Sequence, residues 1–139
     1  MSDHLQTFPS LCPFQSAYRE FHSTETALLR IYNDLLLSIN KQEVSALVLL
    51  DLSAAFDTID HQILLDRLTL NFGIDGSAHS LLASYLLNRS QSVSISSHTS
   101  SPSPIHTGVP QDSVLGPLLF SLYTTPLSYV FSDSRVSYH

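Results

Sequence analysis

The chain has 139 residues, of which 43% are apolar and only 13% charged, with a formal net charge of −6. That length supports one domain with a core rather than two, and the balance excludes a disordered chain. The sign of the charge runs against nucleic-acid binding: Arg19, Arg30, Lys41, Arg67, Arg89 and Arg135 are scattered, so no basic stripe is available to neutralise phosphates.

Residues 1–14 hold Pro9 and Pro13 without periodicity and are predicted to form an irregular lead-in to a single domain at 15–139. From Ser23 the pattern turns helical. Ser23 is placed as N-cap, Glu25 falls in the first turn, Leu28, Ile31, Leu35 and Ile39 recur at helical spacing, and Lys41 suits the C-terminal end. Residues 44–52, VSALVLLDL, form a nearly unbroken apolar run that predicts a strand buried on both faces in the middle of a sheet. Asp51 near its exit is the anomaly, because a buried carboxylate is costly unless it is paired or binds a metal.

A second helix is predicted over 58–71, with Leu64, Leu65, Leu68 and Phe72 on its apolar face and Gly73 ending it. Asp57 is placed to cap that helix and Asp60 to lie in its first turn. A third helix follows Gly76 and carries Leu81, Leu82, Tyr85 and Leu86. In the serine-rich stretch after it, Val93 and Ile95 alternate with serines, which predicts a hairpin turning near residues 100–104. From Ser113 a further helix is predicted, with Gly116 and Pro117 in its first turn or so and Pro126 disrupting it.

The lone Cys12 excludes an intrachain disulfide and a cysteine-based zinc cage, and its free thiol fits a reducing compartment. The seven histidines include no close pair at ligand spacing. Ser113 and His106 make no catalytic pair, since no nucleophile elbow frames the serine. No apolar run reaches the roughly 18 residues of a membrane helix, and Asp3, His4 and Pro9 interrupt any signal-peptide core. The expectation is a soluble intracellular protein with no membrane contact. The sequon at Asn88–Ser90 is read as chance.

Two stretches stand out: LVLLDLSAAFDTIDH at 47–61 and GVPQDSVLGPLLF at 108–120. With FQSAYREFHSTETALL at 14–29 and SYLLNRSQSV at 84–93, in that order, they resemble the reverse transcriptases of non-LTR retrotransposons of the LINE, jockey or CR1 type. The resemblance covers nearly the whole chain. It implies an α+β fold, a polymerase palm with part of the fingers over residues 15–139, whose helices pack on one face of a small sheet.

It also implies a chemistry: RNA-directed DNA polymerisation on an RNA template and DNA primer from deoxynucleoside triphosphates, with Mg2+. Two-ion phosphoryl transfer holds its metals about 3.5–4 Å apart, and Mg2+ takes hard oxygen ligands. Through the resemblance, Asp51 is the first metal-ligating carboxylate, with the Leu52 carbonyl beside it as a further oxygen. From the residues alone, Asp51 also reads as a carboxylate held by backbone amides or arginine. The resemblance makes Phe56 the steric gate that rejects a ribose 2′-hydroxyl, whereas by composition it reads as a core residue. It places Gln111 near nucleotide and template, and Gln15, Tyr18 and Arg19 in a fingers segment that contacts template or nucleotide. By itself a lone arginine is usually a solvated surface residue. Arg89 and Gln91 match the pattern before the family's hairpin and are assigned structural roles.

The sequence departs from the family at Asp112, where glycine is usual. An aspartate adds a Cβ and negative charge beside a polyanion; alternatively it caps the helix expected from Ser113. The family's tyrosine-alanine-aspartate-aspartate motif would follow closely on SRVSYH at 134–139. With the chain ending at His139, the palm is expected to be incomplete and unable to polymerise alone. Its nucleic-acid binding should be weak, Mg2+ should not be held tightly, and the apolar sheet edge left unpaired should favour self-association. The runner-up is a non-catalytic binding module that retains the fold without the chemistry.

Overall fold

A computed structural model describes residues 14–132, 134 and 136–138. The lead-in expected at 1–14 lies outside them except for Phe14, over whose ring the Arg30 guanidinium stacks at 4.7 Å.

Helix α1 spans Thr24–Asn40. Ser23 caps it as predicted, within a reciprocal box. The Thr26 N–H donates to the Ser23 hydroxyl at 3.3 Å, and the Ser23 N–H donates to the Thr26 hydroxyl at 2.9 Å. Glu25 sits in the first turn and Lys41 at the C-cap. The predicted apolar face does not find a core: no residue of α1 is buried, Ile31 and Leu35 are half-covered, and Leu28 and Ile39 are exposed.

Residues 44–52 overturn the expectation of a buried central strand. They are not in a strand, and Val48 is 75% exposed and Leu50 78%. The physical reason lies in the backbone. A strand exists only where a neighbour satisfies its N–H and C=O groups, and no segment pairs with this one among the described residues. The run therefore keeps the composition of an inner strand without the position of one.

Helix α2, His61–Phe72, begins later than predicted. Its cap is Asp60, whose carboxylate accepts from the Ile63 N–H at 2.9 Å, and not Asp57. Residues 53–57 form turns before it, with Ala54 at φ 53° and the Asp57 N–H donating to the Ala54 carbonyl at 2.9 Å. Gly73 ends α2 at φ 61°, the left-handed stop expected there. Helix α3, Gly76–Leu86, follows and buries Leu82 and Leu86, while Leu81 faces out.

The serine-rich stretch is a hairpin arm of two successive ladders. Strand β1 (Arg89–Gln91) pairs antiparallel with β4 (Ser103–Ile105), Arg89 opposite Ile105. Strand β2 (Ser94–Ile95) pairs with β3 (His98–Thr99), and the Ser100 N–H donating to the Val93 carbonyl at 2.9 Å ties the two ladders together. The turn falls at residues 96–97, with Ser96 at φ 55°, rather than at 100–104. Helix α4, Gly116–Thr124, has Pro117 in its first turn, and α5, Leu127–Ser132, follows Pro126.

The architecture is α+β, but the core is helix on helix, not helices on one face of a sheet. Helix α2 packs against both α3 and α4, and Ile59, Leu64, Leu68, Phe72, Leu86, Leu119 and Leu122 are fully buried between and beside them. Arg67 joins α2 to α4: its guanidinium donates to the Tyr123 carbonyl and lies 4.6 Å over the Tyr123 ring. The ladders of the hairpin arm are short, and their side chains are mostly exposed.

Candidate functional site

The two most distinctive stretches of the sequence meet. Between the turn ending in Asp57 and the segment entering α4, main-chain bonds act as a zip: the Gly108 N–H donates to the Ile59 carbonyl at 2.8 Å, the Val109 N–H to the Phe56 carbonyl at 3.0 Å, and the His61 N–H to the His106 carbonyl at 3.3 Å. Asp60 and Thr107 form an isolated antiparallel bridge between them. Each bond contributes only about 0.5–1.5 kcal/mol net, so it is their number that holds the register.

Gly108 is required there on two counts. Its φ is +84°, and a Cβ would stand 3.1 Å from the Asp57 Cα and 3.2 Å from the Asp57 carbonyl oxygen. The His61 side chain adds a further link. Its ring is buried, its Nε2 lies 2.7 Å from the Gly108 carbonyl oxygen, and its Nδ1 is buried without a partner. A carbonyl only accepts, so Nε2 is the donor of this bond.

Beside the zip is a cleft of about 370 Å³ lined by Phe56 and Asp57 from the first stretch and by Pro110, Gln111, Asp112 and Ser113 from the second, with Tyr18 and Pro117 also in its lining. Phe56 is half-buried, its ring 5.3 Å from that of Phe120, so it serves the core and the cleft at once. Gln111 is exposed. Asp112 does not cap a helix: α4 starts at Gly116, and the hydroxyl that receives the Gly116 N–H, at 2.9 Å, belongs to Ser113. Asp112 instead occupies the left-handed region at φ 56°.

Of the residues singled out by sequence, Phe56 and Gln111 are brought together, while Asp51 and Leu52 are not among the cleft's walls. Both lie exposed in the unpaired run. Arg19 is exposed beside Tyr18, and it is Tyr18, at φ 56°, that reaches the cleft. Among the described residues no three His, Cys, Asp or Glu side chains group closely enough to hold a metal. An octahedral ion needs several oxygens at once, and Asp51 with one neighbouring carbonyl does not supply them. The described residues therefore do not fit a Mg2+ site. Arg89 and Gln91 have the structural place assigned to them, opposite Ile105 and Ser103 in the β1–β4 ladder.

His61 was not singled out by sequence, yet helical spacing marks it. It precedes Leu64 and Leu65 by three and four residues, on the face that Leu68 and Phe72 continue, and all five are buried. No helix of the described residues is long and apolar enough to cross a membrane.

Comparison with known proteins agrees with the family that the four sequence stretches resemble. Residues 1–137 match the family described as reverse transcriptase (RNA-dependent DNA polymerase). The chain is 33% identical over 125 residues to the probable RNA-directed DNA polymerase from transposon BS of Drosophila melanogaster, covering 87% of this chain and 14% of that protein. It is 34% identical over 114 residues to the RNA-directed DNA polymerase from mobile element jockey of the same fly, covering 82% of this chain and 12% of that one. The match to the probable RNA-directed DNA polymerase from its transposon X-element is 34% over 110 residues, 79% of this chain and 12% of the relative. This chain thus spans about an eighth of the length of these relatives. No solved structure matches it. The chain belongs to the reverse transcriptase family, as part of the reverse transcriptase domain of a non-LTR retrotransposon.

Proposed function

We propose that this chain is the portion of a retrotransposon RNA-directed DNA polymerase that receives the incoming nucleotide against the template, an incomplete palm with part of the fingers. The observation that carries this reading is the convergence of Phe56 and Gln111 on one cleft from segments 55 residues apart in sequence. In this reading the Phe56 ring sets the width of the sugar's path and excludes a 2′-hydroxyl by contact. The Gln111 amide, a donor and an acceptor at once, orients template or nucleotide. Arg19 is next in sequence to Tyr18, which lines the cleft, and steers phosphate. Its partners in the longer protein are an RNA template, a DNA primer and deoxynucleoside triphosphates.

Asp51 is proposed as the metal-ligating carboxylate of the complete domain, with the Leu52 carbonyl beside it. One carboxylate does not make a two-ion site, so the isolated chain should not extend a primer with Mg2+ or Mn2+. Template-dependent incorporation above that of an Asp51→Asn control would refute this. With net charge −6 its own affinity for RNA or DNA should be weak. Submicromolar binding at physiological salt in a fluorescence-anisotropy titration would instead favour a non-catalytic binding module.

The cleft is tested in a chimera in which residues 15–137 replace the matching segment of the jockey polymerase. Phe56→Val should raise ribonucleotide relative to deoxyribonucleotide incorporation, and Gln111→Ala should lower extension with either. Unchanged discrimination and unchanged extension in both variants would remove the cleft from the chemistry.

A further inference from the structure

We infer that His61 is a positioning residue for the cleft: through one side-chain bond it sets the peptide unit that fixes Gln111 relative to Phe56. The inference rests on the proposed role of the cleft and extends it to a side chain outside the cleft's lining. What the histidine holds is a rigid plane, because the Gly108 carbonyl and the Val109 N–H belong to one peptide unit. The oxygen of that unit accepts from the His61 Nε2 at 2.7 Å, and its N–H donates to the Phe56 carbonyl at 3.0 Å. The unit is thus clamped at both ends, by α2 at one and by the main chain of Phe56 at the other. Gly108 and Val109 are both buried, so water does not readily replace a lost partner.

The residues around this unit make the clamp matter. Gly108 sits at φ +84°, and glycine restricts its own backbone less than any other residue, so orientation must come from bonds rather than from sterics. Pro110 follows Val109, and its ring fixes φ, so a rotation of the unit passes on to Gln111 instead of being absorbed. With the His61 bond gone, only the Phe56 carbonyl opposes that rotation, and Phe56 itself lines the cleft. Histidine is also a costly choice for its position. It shares a buried face with Leu64, Leu65, Leu68 and Phe72, and its Nδ1 is buried without a partner. An apolar side chain would continue that stripe with no orphaned atom; what the histidine brings is the donor for Gly108.

The test compares three substitutions, in the full chain and in the jockey chimera. His61→Leu fills the space without a donor, His61→Asn carries a donor too short to reach Gly108, and His61→Gln places an amide nitrogen near the position of Nε2. In the full chain, exchange of the Val109 amide should quicken with leucine and asparagine and return toward wild type with glutamine. In the chimera, leucine and asparagine should raise the KM for deoxynucleotide about tenfold and relax sugar discrimination together, and glutamine should restore both. Leu82→Ala, buried on α3 and outside the cleft's lining, is the control for lost stability alone. Unchanged Val109 exchange overturns the inference, as does a KM that rises equally in Leu82→Ala or is not restored by glutamine. A chimera that responds to Phe56→Val and Gln111→Ala but not to His61→Leu also overturns it and leaves the cleft reading standing. A chimera indifferent to all of them removes the cleft reading, and the role of His61 falls with it.

Discussion

His61 and Gly108, 47 residues apart, are joined by a bond of 2.7 Å from a buried imidazole nitrogen to a main-chain oxygen. The histidine opens α2 and the glycine opens the turn to Gln111, so one side chain fastens the turn to the core. His61→Leu keeps the volume but removes the donor, leaving the Gly108 oxygen short of a partner. That loss should cost about 1–3 kcal/mol in urea denaturation. His61→Gln, whose amide retains a donor, should recover part of it. Equal midpoints for the histidine and leucine chains would show that the bond contributes nothing.

Gly108→Ala should be worse, and for a different reason. The new methyl would sit against the main chain of Asp57 at 3.1–3.2 Å, where no flexible side chain can yield, and φ +84° already disfavours a Cβ. Two penalties at one position place the cost at about 2 kcal/mol or more. Amide exchange should loosen first at Val109 and Gly108, whose N–H groups make the zip with Phe56 and Ile59. A wild-type midpoint with unchanged protection there would contradict the close approach.

These contacts mark where the sequence was legible and where it was not. Local signals held: Ser23 as cap, Gly73 as stop, Pro117 in a first turn, and the Leu64–Leu68–Phe72 stripe as core. The motif order identified the family, and the cleft joins two residues that resemblance had marked, Phe56 and Gln111. Residues 44–52 failed because composition reports what a segment can bury, whereas a strand requires a neighbour, which no local pattern supplies. Sequence placed Asp57 as the cap and Asp60 in the first turn; Asp60 caps instead because the chain is still in the turn at 53–57, held by the Ala54 carbonyl. The same applies to Asp112, whose φ cannot be read from its identity.

Helix α1 offers a test of local against global stability. Glu25 has its carboxyl held below the usual range, first by the hydrogen bond from the Ser23 side chain and then by its own main-chain N–H. A depressed carboxylate stabilises the folded form above its unfolded pKa and loses that contribution as pH falls through the folded one. Acidification across the carboxylate range should therefore fray the first turn of α1. Ser23→Ala should flatten that dependence and weaken the turn by roughly 1 kcal/mol. Because no residue of α1 is buried, the loss should appear in amide exchange at Ala27 and its neighbours and not in the global midpoint. A drop in the global midpoint would mean that α1 is coupled to the core.

Asp112 gives the last prediction, and geometry reverses the sign that sequence suggests for it. Were Asp112 a helix cap, glycine there would cost stability. The N-cap of α4 is Leu115, the Gly116 N–H donates to the Ser113 hydroxyl, and Asp112 sits at φ 56°, where a Cβ is strained and aspartate is only better tolerated than most. Glycine relieves that strain but adds freedom to the unfolded chain, an opposing contribution of about 0.4–1 kcal/mol. Asp112→Gly should therefore be neutral or stabilising by up to about 1 kcal/mol, whereas Asp112→Ala, which keeps the Cβ without the polar group, should destabilise. In the jockey chimera the glycine variant should also extend primers faster if the cleft receives the nucleotide as proposed, because it removes a negative charge from the cleft wall. Asp112→Asn separates the two effects: it keeps the backbone restriction and removes the charge. Rates that rise for glycine and asparagine alike assign the hindrance to charge, and a rise for glycine alone assigns it to the backbone. Equal rates for all three chimeras would make Asp112 a tolerated variation with no bearing on extension.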